Sequence, residues 1–231
     1  MGRVTGRVNK EVSLKCFFLM AGIFQLVFLA SCLRLSPGLL PPEEIHFLDG
    51  QASFNLKTPE HSGRLRLAFY FWLPEKGRLE VFNPLGKLES LVWFNGPRAV
   101  LYFPGEKIFW EGPVETILSD FFGEKLEVEE LALLLAARWS RLKRDYGWGI
   151  SQEGNNLPSG FREGLSFKVM ERLSGSPLPK VINFESQEFV VRVKLLKLRF
   201  NCPQKDSFFS PSVPSSAQKL SWEDISSLWK R

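Results

Sequence analysis

Cysteine and histidine are both scarce in this chain, with 3 cysteines and 2 histidines among 231 residues. A disulfide framework is therefore excluded as the main source of stability, and a packed core has to supply it. His46 and His61 have no cysteine or second histidine at metal-ligand spacing, and each reads as a solvated side chain. No glycine-rich loop follows a strand and opens a helix, and no Gly-x-Ser-x-Gly turn is present. Phosphate-cradling and nucleophile-elbow chemistries thus lack their motifs. Catalysis, a cofactor and a metal are accordingly not indicated. A strong charge of one sign is missing too: 30 bases stand against 25 acids, without the basic excess that nucleic acid demands. The uncharged apolar run at residues 16–30 holds 15 residues, short of the ~20 a helix needs to cross the hydrocarbon core.

What precedes and ends that run gives it a meaning. Residues 1–15 carry Arg3, Arg7, Lys10 and Lys15 against the single acid Glu11, the basic region of a secretory signal ahead of its apolar core. The run closes on Leu29-Ala30-Ser31-Cys32. This resembles the lipobox of bacterial lipoproteins: an aliphatic residue, two small ones that fit a peptidase cleft, and the cysteine whose thiol takes the lipid. The resemblance implies cleavage after residue 31 and a membrane anchor at Cys32; the alternative is an uncleaved N-terminal anchor. Cleavage removes Cys16 and lipidation occupies Cys32, which leaves Cys202 without a partner for a disulfide. It also removes four bases and one acid from the 30 and 25, so the mature chain carries 26 and 24. Its length is 231 less 31, or 200 residues, enough for one core and short for two.

What is abundant is aromatic: 21 Phe and 7 Trp. They belong either to a large filled core or to a hollow with apolar walls, and composition does not separate the two. The dominant periodicity is two. In residues 64–72, Leu65, Leu67, Phe69 and Phe71 fall on one face, as in a half-buried strand. Residues 51–57, 78–82, 88–94, 99–103 and 107–110 predict further strands. Between them stand the turns Pro74-Glu75-Lys76-Gly77, Asn83-Pro84-Leu85-Gly86, Asn95-Gly96-Pro97 and Pro104-Gly105-Glu106. Connections this short exclude parallel crossovers and specify an antiparallel meander.

Two helices follow. Val114, Ile117, Leu118, Phe121 and Phe122 recur at helical spacing between Pro113 and Gly123. A second helix runs from Glu127, Glu129 and Glu130 to Arg138, Arg141, Lys143 and Arg144, the charge order the helix dipole favours. Between those ends residues 131–137, with Leu131, Leu134 and Leu135, are apolar on almost every side, so this helix must be covered all round or lie across an apolar opening. Residues 147–160 read as a loop, and strands resume at 165–172, 180–184 and 189–200. In the last, Val191, Val193 and Leu195 share a face while Leu196, Leu198 and Phe200 are apolar after a shift of one, which predicts a bulge near Leu195. Residues 202–217 are rich in Ser and Pro and read as a flexible linker. Ser221-Trp222-Glu223-Asp224 is a capping-box pattern, with Ile225, Leu228 and Trp229 on the face of Trp222. So apolar a face docks on the open sheet edge or on a partner, or else the segment stays disordered.

In its order of elements the chain resembles LolB, the outer-membrane lipoprotein that receives other lipoproteins from the periplasmic carrier LolA. The pieces that carry the resemblance are Phe71-Trp72, then Asn83-Pro84-Leu85-Gly86 with Glu89, and the closing segment 177–201. It spans residues 49–201, between a lipidated linker at 32–48 and a tail at 202–231 that has no counterpart in the family. The resemblance implies a mainly β fold, an unclosed antiparallel β-barrel whose concave apolar face is lidded by helices and takes up acyl chains. It places Asn83, Pro84, Leu85 and Gly86 on a membrane-directed loop, Leu85 projecting; a leucine folded under its own turn is the alternative. Candidates for the acyl cavity are Leu65, Leu67, Phe69, Phe71, Leu131, Leu134, Leu135, Val191 and Val193. The implied partners are acyl chains of lipoproteins, a LolA-like carrier and the outer membrane at its periplasmic face, for a monomer. Leu33 beside Cys32 is not the aspartate that retains enteric lipoproteins in the inner membrane. A carrier of free lipid or glycolipid, and a structural envelope lipoprotein with a filled core, are the other functions this reading leaves open.

Overall fold

Alternation of apolar and polar side chains, broken by short turns, folds this chain into consecutive antiparallel strands. A computed structural model describes residues 39–58, 62–122, 126–152, 156–187 and 189–229. The predicted signal segment 1–31, Cys32 and His61 lie outside the described residues. The first six strands are β1 (Phe47–Lys57), β2 (Ser62–Trp72), β3 (Lys76–Phe82), β4 (Leu88–Asn95), β5 (Arg98–Phe103) and β6 (Ile108–Pro113). After three helices come β7 (Gly149–Ser151), β8 (Ser159–Arg162), β9 (Leu165–Arg172), β10 (Pro179–Glu185) and β11 (Val190–Phe200), and near the C-terminus β12 (Gln218–Lys219). The spatial order is β12-β6-β5-β4-β3-β2-β1-β11-β10-β9-β8-β7. The outermost strands do not pair with each other, so the barrel is unclosed. Pairing is antiparallel apart from the two-residue ladder of β12 on β6.

The expected bulge in β11 is present. Gln51 lies opposite Lys197 and Ala52 opposite Leu195, leaving Leu196 without a cross-strand partner on β1. Val191, Val193 and Leu195 are buried on one side of the bulge and Leu198 on the other, while Leu196 itself stays 52% exposed. One extra residue thus returns the strand's apolar set to the core face, as the two-residue side-chain period requires.

Three helices cross the concave face: α1 (Val114–Phe122), α2 (Val128–Leu135) and α3 (Trp139–Tyr146). The single helix expected from Glu127 to Arg144 is two. Ala137 turns left-handed at φ 56, its N–H donates to the Leu134 carbonyl, and the Arg138 N–H donates to the Leu133 carbonyl. This paired closure ends a helix, normally with glycine at the left-handed position. Residues 147–160 also depart from expectation, since β7 and β8 form there and extend the sheet edge. Their sequences have no apolar alternation, and Gly160 is required because a Cβ there would run into the Phe167 ring.

The tail is tied down rather than flexible. A 3-10 turn at Asp206–Phe209 lays Phe208 edge-on against Tyr70 (4.9 Å between centroids) and under the Arg78 guanidinium (4.4 Å), and buries Phe209 beside Trp72. Val213 and Ala217 pack on a second apolar cluster, Leu91, Trp93 and Tyr102, apart from the main core. The chain then pairs with the β6 edge as β12 and ends in α4 (Trp222–Trp229), where Ile225 is fully buried in the main core and Trp222 packs on Trp110. Ser221 Oγ accepts the Asp224 N–H at 3.2 Å, the predicted cap. Anchors this irregular have no period, which is why the segment reads as linker in sequence.

Candidate functional site

Six strands curve around α1 and α2, and the space between is not filled. A cavity of about 90 Å³ remains, several times the ~10–15 Å³ that a single water needs. Its sheet wall is Ala52 and Phe54 of β1, Leu65, Leu67, Phe69 and Phe71 of β2, Leu79 and Val81 of β3, Val92 and Phe94 of β4, with Phe184, Val193 and Leu195 from the other half. Its roof is Val114, Ile117 and Leu118 of α1 with Val128, Leu131 and Leu135 of α2. No side chain in this wall offers a hydrogen bond, so water inside would lack partners, and the contents it suits are hydrocarbon.

Of the residues singled out in sequence, Leu65, Leu67, Phe69, Phe71, Leu131, Leu135 and Val193 line the cavity. Leu134 and Val191 are buried in the same core but outside the wall. Phe54, Leu79, Val81, Val92 and Phe94 also line it, each at an inward position of a strand that the periodicity locates. Their shared face depends on register, which a strand read alone does not reveal.

The roof is pinned by a buried carboxylate. Glu130 is 1% exposed; its Oε2 accepts the Glu127 N–H at 2.8 Å, closing the capping box of α2, and its Oε1 accepts Trp148 Nε1–H at 2.8 Å. The same Oε1 pairs with Arg162 of β8, whose guanidinium also donates to the Tyr146 carbonyl and lies against the Trp148 ring. Tyr146 is held far above its ordinary pKa, first by burial, then by a hydrogen bond with Glu129 and by the nearby carboxylates. The three acids read as helix-start charges thus divide: Glu127 keeps that role, Glu129 pairs with Arg141 of α3 at 3.0 Å, and Glu130 ties α2 to the end of α3 and the sheet.

The β3–β4 turn lies just beyond the Val81 end of the cavity. Asn83 Oδ1 accepts the N–H groups of both Leu85 and Lys87 at 3.0 Å, the Asn83 carbonyl accepts Gly86 N–H, and Gly86 sits at φ 82. With every neighbour committed to the turn, Leu85 points outward and is 94% exposed. The alternative of a leucine folded under the turn is thereby set aside. His46 is exposed and 3.5 Å from Glu44. Among the described residues no cluster of three or more His, Cys, Asp or Glu could hold a metal, and no helix is long and apolar enough to cross a membrane.

No family model matches this chain, and no curated protein does. Similar solved structures include a LolA superfamily protein from Nitrosomonas europaea, 8% identical over 74% of this chain and 93% of that one, with a TM-score of 0.47. Another is a DUF1329 family protein from Desulfovibrio piger, 10% identical over 73% of this chain and 91% of that one, also with a TM-score of 0.47.

Proposed function

We propose that this protein is a lipid-anchored receptor of the LolB type, which takes acyl chains of other lipoproteins from a LolA-like periplasmic carrier and releases them into the outer membrane. It acts by binding rather than catalysis, from the periplasmic face, held there by lipid on Cys32. The observation that carries this reading is the wholly apolar cavity between an unclosed sheet and its helical roof. Each methylene moved from water into such a wall contributes about 0.8 kcal/mol, so even part of one acyl chain binds usefully. At about 90 Å³ the cavity is smaller than the ~150 Å³ that admits a benzene. Loading therefore requires the roof to lift, and for α2 that means releasing the contacts of Glu129 with Arg141 and of Glu130 with Trp148 and Arg162. Leu85 gives the loaded protein an apolar point with which to enter the acceptor membrane.

The absence of any polar group in the cavity wall also favours a second reading, a carrier of free lipid, because nothing there recognises a protein moiety. The deciding experiment is mass spectrometry of the protein purified from the envelope of a Gram-negative host. Copurified lipoprotein supports the receptor, copurified free lipid supports the carrier, and failure to take up any acylated ligand even on offer in excess overturns both.

A further inference from the structure

The outer face of one half of the sheet is far more basic than the chain as a whole. Strands β1, β2, β9, β10 and β11 together carry ten Lys and Arg against three Asp and Glu. Two of those acids are already engaged, Asp49 by Arg199 and Glu171 by Lys180. Pairing register arranges five of the other eight cations in two rows. Arg64 lies opposite Asn55, Asn55 opposite Arg192, Arg192 opposite Asn183, and Asn183 opposite Lys168. One row further along, Arg66 faces Ser53 and Ser53 faces Lys194. All five of these cations are exposed, and among the described residues none has an ion-pair partner. Strands are about 4.8 Å apart, so cations alternate with neutral polar residues at roughly 10 Å intervals. Leu196, forced outward by the bulge and 52% exposed, adds an apolar side chain to the same face.

Geometry says which surface this face meets. Arg66 is opposite Phe82, so Arg64 runs alongside the Asn83–Gly86 turn and the basic rows begin next to Leu85. The described chain starts at the other end of the sheet, where the Leu39 carbonyl accepts Ser176 Oγ–H in the β9–β10 connection. β1, with 11 residues, is about 36 Å long. Six residues lie between Cys32 and Leu39, seven Cα steps with a reach of at most about 25 Å. An anchored molecule standing on end would hold Leu85 away from the bilayer. We infer that the protein lies on its side, with the basic outer face of β2, β1, β11, β10 and β9 against the anionic headgroups of the membrane that holds its anchor, and Leu85 entering at the corner. This rests on the membrane contact of Leu85 and the lipid on Cys32 put forward above. The concave mouth is then turned away from the bilayer, open to a donor.

The test uses the processed, lipid-anchored protein in vesicles, in a Cys202→Ser background, with a polarity-sensitive fluorophore on Asn55→Cys in one sample and on Leu85→Cys in another. On vesicles containing anionic phospholipid at low salt, both labels are expected to shift toward an apolar environment. The Asn55 shift should vanish at high salt, on zwitterionic vesicles, and in the triple variant Arg192→Gln, Lys194→Gln, Lys168→Gln. Each cation near an anionic surface strengthens docking roughly five-fold, so the triple change should cost about 100-fold in docked population. A silent Asn55 label beside a responsive Leu85 label overturns the side-lying face, leaves the receptor reading intact, and assigns the basic rows to an acidic protein. Equal shifts on neutral vesicles overturn the headgroup attraction. Silence of both labels removes the membrane role of Leu85 and this inference together.

Discussion

Leu85 is held outward by hydrogen bonds that its neighbours make, not by anything its own side chain touches. Asn83 accepts from two backbone N–H groups and Gly86 supplies the positive φ, so the side chain at 85 can change without cost to the turn. Leu85→Glu should leave the melting temperature within the range of an exposed substitution, about 0.5 kcal/mol. It should abolish delivery of lipoprotein to liposomes, because a carboxylate resists entry into hydrocarbon. Both are measured on one sample, and unimpaired delivery by the folded variant removes Leu85 from the site. Glu130 is the opposite case. Its partners Trp148 and Arg162 are 18 and 32 residues away in sequence, so its charge reads locally as a helix-start acid while its burial is fixed by the tertiary fold. Glu130→Ala removes the 1% exposed carboxylate that accepts Trp148 Nε1–H and pairs with the Arg162 guanidinium. Breaking such a buried pair costs about 3–5 kcal/mol, a fall in melting temperature of roughly 6–20 °C for a domain of this size.

Among the elements, those legible in sequence share one property: their signal is local. The strands of the meander, the start of α1 and the bulge in β11 each follow from side-chain period and turn chemistry within ten residues or so. What was not legible depends on distant partners. The strands β7 and β8 exist because β9 offers an edge, with Gly160 making room for Phe167. The tail is ordered by isolated anchors on a face that Trp93 and Tyr102 leave apolar. The break between α2 and α3 carries no stop signal, since Ala136 and Ala137 are good helix formers; tertiary packing imposes the left-handed residue against that preference. This makes the joint improvable. In the left-handed region a Cβ costs roughly 1–2 kcal/mol that glycine avoids, offset in part by the greater freedom of glycine in the unfolded chain. Ala137→Gly should therefore raise stability by up to about 1 kcal/mol, visible as a higher denaturant midpoint at unchanged slope. A loss of stability would show that the φ of 56 is relaxed on the time average and that α2 and α3 are one helix in solution.

At the scale of the whole molecule the architecture solves two problems at once, covering an open sheet edge and keeping a hollow inside. The tail answers the first: β12 occupies the β6 edge and Ile225 seals the core behind it. A chain ending at Ala217 should expose unpaired β6 backbone and self-associate, detectable by light scattering, as uncovered edges do. The hollow is harder to read, because a filled aromatic core and a lined cavity have the same composition; only the register of several strands shows that inward positions fail to meet. A single substitution separates them by sign. Ala52 lies in the middle of β1, 1% exposed, and its small side chain forms part of the cavity wall. If the space beside it is empty in solution, Ala52→Leu places three more carbons there and gains about 0.8 kcal/mol per buried methylene, less any strain. If the core is full, the same change overpacks it and costs about 1–3 kcal/mol. The proposed function expects the first outcome together with weaker uptake of acyl chains, since the leucine takes the place of the ligand. Unfolding curves and acyl-ligand titration of Ala52→Leu decide it: greater stability with poorer uptake identifies the cavity as the binding site. Lower stability with unchanged uptake would place the ligand elsewhere and leave the aromatic interior as core alone.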